Sequence, residues 1–186
     1  MKKTIIFGLL LLGAFHAMGQ THAPAAKLDS ATIKNRGYIV NVGDIAPADF
    51  NLVLTTGETV SLKSLRGKVV ILQFTASWCK VCRAEMPHLE SELWQTYKDR
   101  NVVLIGVDRD EPLDKVKTFK EDLKVTYPIA LDPGADIFGR FADKRSGVTR
   151  NVVIDKDGKI VFLTRLYNPQ EFAALLKVVD GLADKK

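Results

Sequence analysis

The chain has 186 residues, 46% of them apolar, a formal net charge of +5 and only two cysteines. That length suits one globular domain with a real core. The basic residues are spread among acids rather than clustered, which gives nucleic-acid binding no support, and two cysteines are too few for a stabilising disulfide framework.

Met1-Lys2-Lys3 precedes an apolar run from Thr4 to Phe15, followed by Ala17-Met18-Gly19. A positive start, a short apolar stretch and small residues two apart form the pattern of a secretory signal over residues 1–19, cut before Gln20. The apolar run falls short of the ~20 residues a spanning helix needs, so a retained anchor is the weaker alternative. Losing Lys2 and Lys3 lowers the formal charge to +3. Residues 20–42 read as a flexible or partly ordered segment: Thr21 to Ala26 a loose lead, Asp29 to Asn35 a short helix or nothing regular, Tyr38 to Val40 a candidate edge strand.

From Gly43 the pattern sharpens into a domain spanning residues 43–186. Phe50, Leu52 and Leu54 alternate, Thr56-Gly57 turns the chain, and Val60 and Leu62 return, which predicts a β-hairpin. Lys68 to Thr75 is apolar nearly throughout, as in a strand covered on both faces. A helix is expected from about Cys79 to Lys98, kinked by Pro87. Val102 to Val107 reads as a buried strand, Leu113 to Leu123 as a helix, Tyr127 to Leu131 as a short strand and Ile137 to Phe141 as a short helix. Val152 to Ile154 and Ile160 to Leu163 flank Asp157-Gly158, a hairpin signal, and Phe172 to Leu182 is an amphipathic closing helix. This order implies an α/β fold with a mixed central sheet and helices on both faces.

Both cysteines lie in Trp78-Cys79-Lys80-Val81-Cys82, at the junction of the apolar strand and the long helix. Two thiols separated by two residues can close a small disulfide. One sulfur then sits at a helix N-terminus, where the backbone dipole and free N–H groups favour the nucleophilic thiolate. The other can resolve a mixed disulfide. A structural zinc needs four ligands, and His16, His22 and His88 do not complete a site with this pair. So short a loop also removes little entropy from the unfolded chain, which argues against a purely structural bridge. No metal and no cofactor is expected. Asp108-Arg109-Asp110-Glu111 reads as a capping loop and Asp155-Lys156-Asp157-Gly158 as a hairpin turn, not as calcium sites.

The element order, with Trp-Cys-x-x-Cys opening the long helix, resembles the thioredoxin superfamily, and within it the TlpA-like thiol–disulfide reductases (redoxins), with peroxiredoxin-like features. The resemblance covers Gly43 to Leu182. It rests on Gly43-Asp44 with Ala46-Pro47, on Leu65-Arg66-Gly67-Lys68, on Phe74 to Cys79 with Cys82 to Pro87, and on Val153 to Gly158. It implies a three-layer thioredoxin-like fold with an N-terminal β-hairpin and a β-α-β insert from Val102 to Leu131. It also implies Cys79 as the attacking thiol, Cys82 as the resolving one, Trp78 as a shield on the sulfur's flank and Glu85 as a carboxylate managing protons.

The superfamily places a cis-proline on the loop facing the cysteines, and this chain has Gly147-Val148-Thr149-Arg150 there. A cis bond before a non-proline residue costs roughly 3–4 kcal/mol, so a trans bond is expected at Thr149. Trp78, Val148, Thr149 and Arg150 are the expected substrate-binding residues. Arg150 also resembles the arginine with which peroxiredoxins polarise peroxide and thiolate. The function implied is a periplasmic or otherwise exported thiol–disulfide oxidoreductase that reduces protein disulfides. Its partners would be disulfide-bearing proteins and an upstream membrane or periplasmic reductant, with no stable membrane insertion after signal cleavage. A thiol-dependent peroxidase using Cys79 and Arg150, or a non-catalytic adaptor, are the alternatives.

Overall fold

Seven strands build one sheet in the computed structural model, which describes residues 30–184. The expected signal over residues 1–19 and the lead at Thr21 to Ala26 lie outside the described residues. The strands are β1 (Asn51–Leu54), β2 (Thr59–Ser61), β3 (Val69–Thr75), β4 (Val102–Arg109), β5 (Ile129–Asp132), β6 (Arg150–Ile154) and β7 (Ile160–Leu163). Their order is β2-β1-β5-β4-β3-β6-β7. β3, β4 and β5 run parallel, while β1, β2, β6 and β7 pair antiparallel at the flanks. The unbroken apolar run of β3 is buried at every position, as the covered interior of a three-layer fold requires.

Alternation along β3 divides the core in two. Val69 and Ile71 face a helical layer of α2 (Lys80–His88), α4 (Leu113–Asp122) and α6 (Pro169–Leu182), packed through Met86, Leu89, Phe119 and Leu175. Val70, Leu72 and Phe74 face the opposite layer, built from α1 (Ser30–Asn35), the chain that follows it and α5 (Phe138–Phe141). In that layer Ile33, Tyr38 and Val40 are core residues. The segment from Ser30 to Val42 is therefore packed onto the sheet. Tyr38 makes a single bridge to Ala142 rather than a strand.

Three sequence signals gain a physical explanation. After Pro87, which brings no N–H to the helical ladder, the long helix continues through a π-helical stretch (Leu89–Trp94) into α3 (Gln95–Tyr97). β5 starts at Ile129, two residues later than the apolar pattern suggests, because Pro128 has no N–H to give the sheet. α6 begins earlier than its apolar face: the Asn168 side chain accepts the Gln170 and Glu171 N–H groups, with Pro169 in the first turn.

Candidate active site

The loop from β3 to α2 carries Trp78 and Cys79 onto the surface. Cys79 is the N-cap of α2, with extended backbone (φ −83°, ψ 101°), and its Sγ accepts the Cys82 N–H at 3.1 Å. A sulfur in that position meets the free donors and positive end of the helix, the environment that lowers a thiol pKa. Cys79 and Cys82 are joined in a disulfide with Cα atoms 5.3 Å apart. Cys79 retains 8% exposure and Cys82 none, so of the two residues only Cys79 reaches solvent. Trp78 is 60% exposed beside it.

The approach to Cys79 is fixed from below. Ser77 gives its backbone N–H and its hydroxyl (2.7 Å) to the Glu111 carboxylate, which also pairs with Lys115. Burial alone would raise Glu111, but the bonds from Lys115 and Ser77 outweigh it and hold the carboxyl below its usual range. Asp108, in register with Thr75, is buried with neither carboxylate oxygen hydrogen-bonded. Burial and the neighbouring Glu111 push its pKa up to about 7. Among the described residues no group of three or more His, Cys, Asp or Glu side chains is placed to hold a metal.

Glu85 follows Cys82 by one helical turn and lies on the sheet side of α2, 1% exposed. Period-two alternation turns Gln73 of β3 and Asn151 of β6, directly paired across the sheet, toward that helix. Asn151 Nδ2 donates to Glu85 Oε1 at 2.7 Å and to Thr164 Oγ1 at 2.9 Å. Gln73 Oε1 accepts the Tyr127 hydroxyl at 3.1 Å. Burial pushes the Glu85 pKa up to about 7, against the opposing influence of the Asn151 and Gln73 amides. Glu85 Oε2 and Gln73 Nε2 face this space without a hydrogen bond of ordinary geometry. The result is a buried acid that titrates near neutrality behind the dithiol.

The facing loop brings one expected residue to the sulfurs and takes another away. Thr149, 2% exposed, holds its Oγ1 3.1 Å from Cys79 Sγ and 3.3 Å from Cys82 Sγ. No peptide bond among the described residues is cis, so Thr149 follows a trans bond. Val148 is buried beside it. Arg150 points to the opposite face of the sheet. Its Nη2 donates to Ser146 Oγ (2.9 Å) and Gly147 O (2.7 Å), and its guanidinium lies over the rings of Tyr38 and Phe138. Neither sulfur is among these partners.

A family model described as AhpC/TSA matches residues 42–163, the span that carries the disulfide, Glu85 and Thr149. The chain belongs to the AhpC/TSA family. Among curated relatives, the thiol-disulfide oxidoreductase ResA of Bacillus cereus is 38% identical over 124 residues, covering 66% of this chain and 68% of that protein. A proposed protein disulfide isomerase from Bacteroides thetaiotaomicron, solved in solution, is 56% identical with TM-score 0.76, covering 78% of this chain and 92% of its own. A proposed thiol:disulfide interchange protein DsbE from Chlorobium tepidum is 26% identical with TM-score 0.65, covering 77% and 99%. Within this AhpC/TSA chain, sequence reasoning missed Gln73, Asn151 and Ser77. Gln73 had a signal, a lone amide inside the apolar run Val69 to Phe74, whereas Asn151 follows Arg150 at the polar start of β6.

Proposed function

We propose that this protein is an exported reductant of protein disulfides that works through Cys79 and Cys82. The observation that carries this reading is the asymmetry of the pair: Cys79 caps a helix N-terminus and keeps slight exposure, whereas Cys82 has none. In the reduced state the Cys79 thiolate attacks one sulfur of a substrate disulfide. The new bond joins Cys79 to that sulfur, and the other substrate sulfur leaves as a thiolate. Cys82 then attacks Cys79 Sγ, closing the protein's own disulfide and releasing the second substrate thiolate. Two electrons pass to the substrate, and the two protons of the dithiol end on its thiols.

Glu85 supports the second step. A carboxyl that titrates near pH 7 behind Cys82 is matched to take its proton and return it. Trp78 is the substrate-facing surface beside Cys79, its exposed indole suiting a protein partner more than a small thiol, while Val148 is buried behind it and supports the facing loop. An upstream reductant outside the cytosol must restore the dithiol. Export is supported by the charged, apolar and small-residue succession at the N-terminus. The arrangement around Arg150 lends no weight to a peroxidase, since its guanidinium is committed to the other face of the sheet.

Trapping tests the assignment. Cys82→Ser is expected to accumulate covalent complexes with substrate proteins through Cys79, visible on non-reducing gels, whereas Cys79→Ser traps none. Equal trapping by both variants would sink the assigned roles.

A further inference from the structure

The hydroxyl of Thr149 touches both reacting sulfurs, at 3.1 Å from Cys79 and 3.3 Å from Cys82. In the disulfide neither sulfur carries a proton, so the hydroxyl is the only donor available in these contacts. A disulfide sulfur is a weak acceptor, while a thiolate is a charged one that draws a stronger and shorter hydrogen bond. We propose that Thr149 is a catalytic residue whose hydroxyl donates to whichever sulfur carries the negative charge, first Cys79 and then Cys82.

This inference rests on the dithiol mechanism above and adds a group to it. When the Cys79 thiolate forms, its Sγ has two donors, the Cys82 N–H (3.1 Å) and the Thr149 hydroxyl. Once Cys79 has bonded to the substrate sulfur its charge is gone, and a rotation about the Thr149 C–O bond turns the same proton toward Cys82 Sγ. Cys82 has been deprotonated for the resolving attack, and among the described residues the Thr149 hydroxyl is the donor that reaches its sulfur. The hydroxyl itself is neither oxidised nor consumed. The loop that holds it is fixed: the Thr149 carbonyl accepts the Leu166 N–H at 3.1 Å and Arg165 Nη1 at 3.2 Å. A proline at this position has no hydroxyl, so this chain carries a donor that the superfamily's usual residue lacks.

Other charges near the sulfurs are Lys80 and Arg83 in the first turn of α2, Glu85 beneath Cys82, Glu111 acting through Ser77, and Arg165 behind Thr149. Arg150 faces away. All of them are unchanged when Thr149 alone is altered, so a threonine-to-valine comparison isolates the hydroxyl at nearly constant shape.

The test uses the reduced full chain and the pH dependence of Cys79 alkylation by iodoacetamide. Thr149→Val is expected to raise the Cys79 pKa by about one unit, the scale of one hydrogen bond to a charged acceptor, and so to slow alkylation roughly tenfold at a pH below that pKa. The equilibrium with dithiothreitol is expected to move about tenfold toward the disulfide, equivalent to ~30 mV. Thr149→Ser, which keeps the hydroxyl, is expected to return both readouts to wild-type values. An unchanged Cys79 pKa in Thr149→Val, or an equal shift in Thr149→Ser, overturns the proposal. Failure of the Cys82→Ser variant to trap substrates while these pKa shifts appear would overturn the reductase reading and leave the hydroxyl's role standing.

Discussion

Arg150 and Asn151 are adjacent on β6 and fully buried, yet they serve opposite layers of the molecule. The arginine is stacked under two rings, Tyr38 at 4.6 Å and Phe138 at 5.1 Å, and tied to the loop before β6. Burial lowers its pKa to about 10, which still leaves it charged throughout the neutral range. On the other side Asn151 contacts Glu85, whose carboxyl has one hydrogen-bonded oxygen and titrates at about 7. The two sites are equally deep. Both are under-satisfied, Arg150 at Nε and Nη1 and Glu85 at Oε2; the difference is that aromatic faces stabilise the arginine as a permanent cation, whereas the carboxyl has no such support and is left able to exchange a proton.

The contrast breaks most visibly at the arginine. Arg150→Ala is expected to destabilise the fold by about 3–4 kcal/mol, because a large side chain leaves a cavity between rings. Arg150→Met, which keeps the volume, is expected to cost only about 1–2 kcal/mol. Disulfide reduction per folded molecule should stay at the wild-type level in both, measured with insulin as substrate. A specific loss of peroxide consumption in Arg150→Ala would instead give the arginine a chemical role.

A second experiment sharpens the opposite side. The folded-state pKa of Glu85 lies above its unfolded value, so its contribution is fully present below about pH 4.5 and is lost as pH rises through about 7. Over that window the wild-type protein should lose on the order of 3 kcal/mol from this group. Asp108, raised to about 7 from 3.8, adds a slope of the same sign. Glu85→Gln should flatten the first part of the decline in denaturant titrations at pH 5 and pH 8, and Glu85→Gln with Asp108→Asn most of the rest. Parallel wild-type and variant curves would show that the carboxyl does not titrate there. Glu85→Gln should also slow turnover roughly 10²-fold, the usual scale for a lost general acid–base group.

The smallest effect is expected at Tyr38. Its hydroxyl donates to the Thr164 carbonyl, and Thr164 Oγ1 in turn accepts from Asn151. Tyr38→Phe keeps the ring over Arg150 and removes only the hydroxyl, which is shared between the Thr164 and Asn151 carbonyls, so a loss of about 1 kcal/mol in thermal or chemical unfolding is expected. A loss as large as that of Arg150→Ala would mean that the hydroxyl, not the ring, secures the arginine's side.

Strand periods, the hairpin turns and the cysteine spacing are local properties, readable directly from the chain: Leu52 and Leu54 alternate inward as expected, and Cys79 opens α2 where the motif places it. Glu85 was also legible, because one helical turn necessarily puts it on the side of Cys82. What stayed hidden depends on pairing between distant strands. That Gln73 lies opposite Asn151, and that both look toward Glu85, follows from the β3–β6 register, which no local pattern encodes. The face that Arg150 occupies was hidden for the same reason: being next to Thr149 in the chain says nothing of it until the strand's alternation is fixed. Tyr38, Val40 and Val42 do alternate inward, but the role of Tyr38 was illegible because the guanidinium its ring covers lies more than a hundred residues on in the chain.

Tyr38 lies upstream of Val42, where the AhpC/TSA match begins. A fragment trimmed to that homology would strip one aromatic plate from a permanently charged guanidinium and open it to water. The natural left-hand limit for a self-sufficient unit is thus Ser30 or earlier, and shortened versions that start at residue 42 should aggregate or melt early while retaining every residue that takes part in electron transfer.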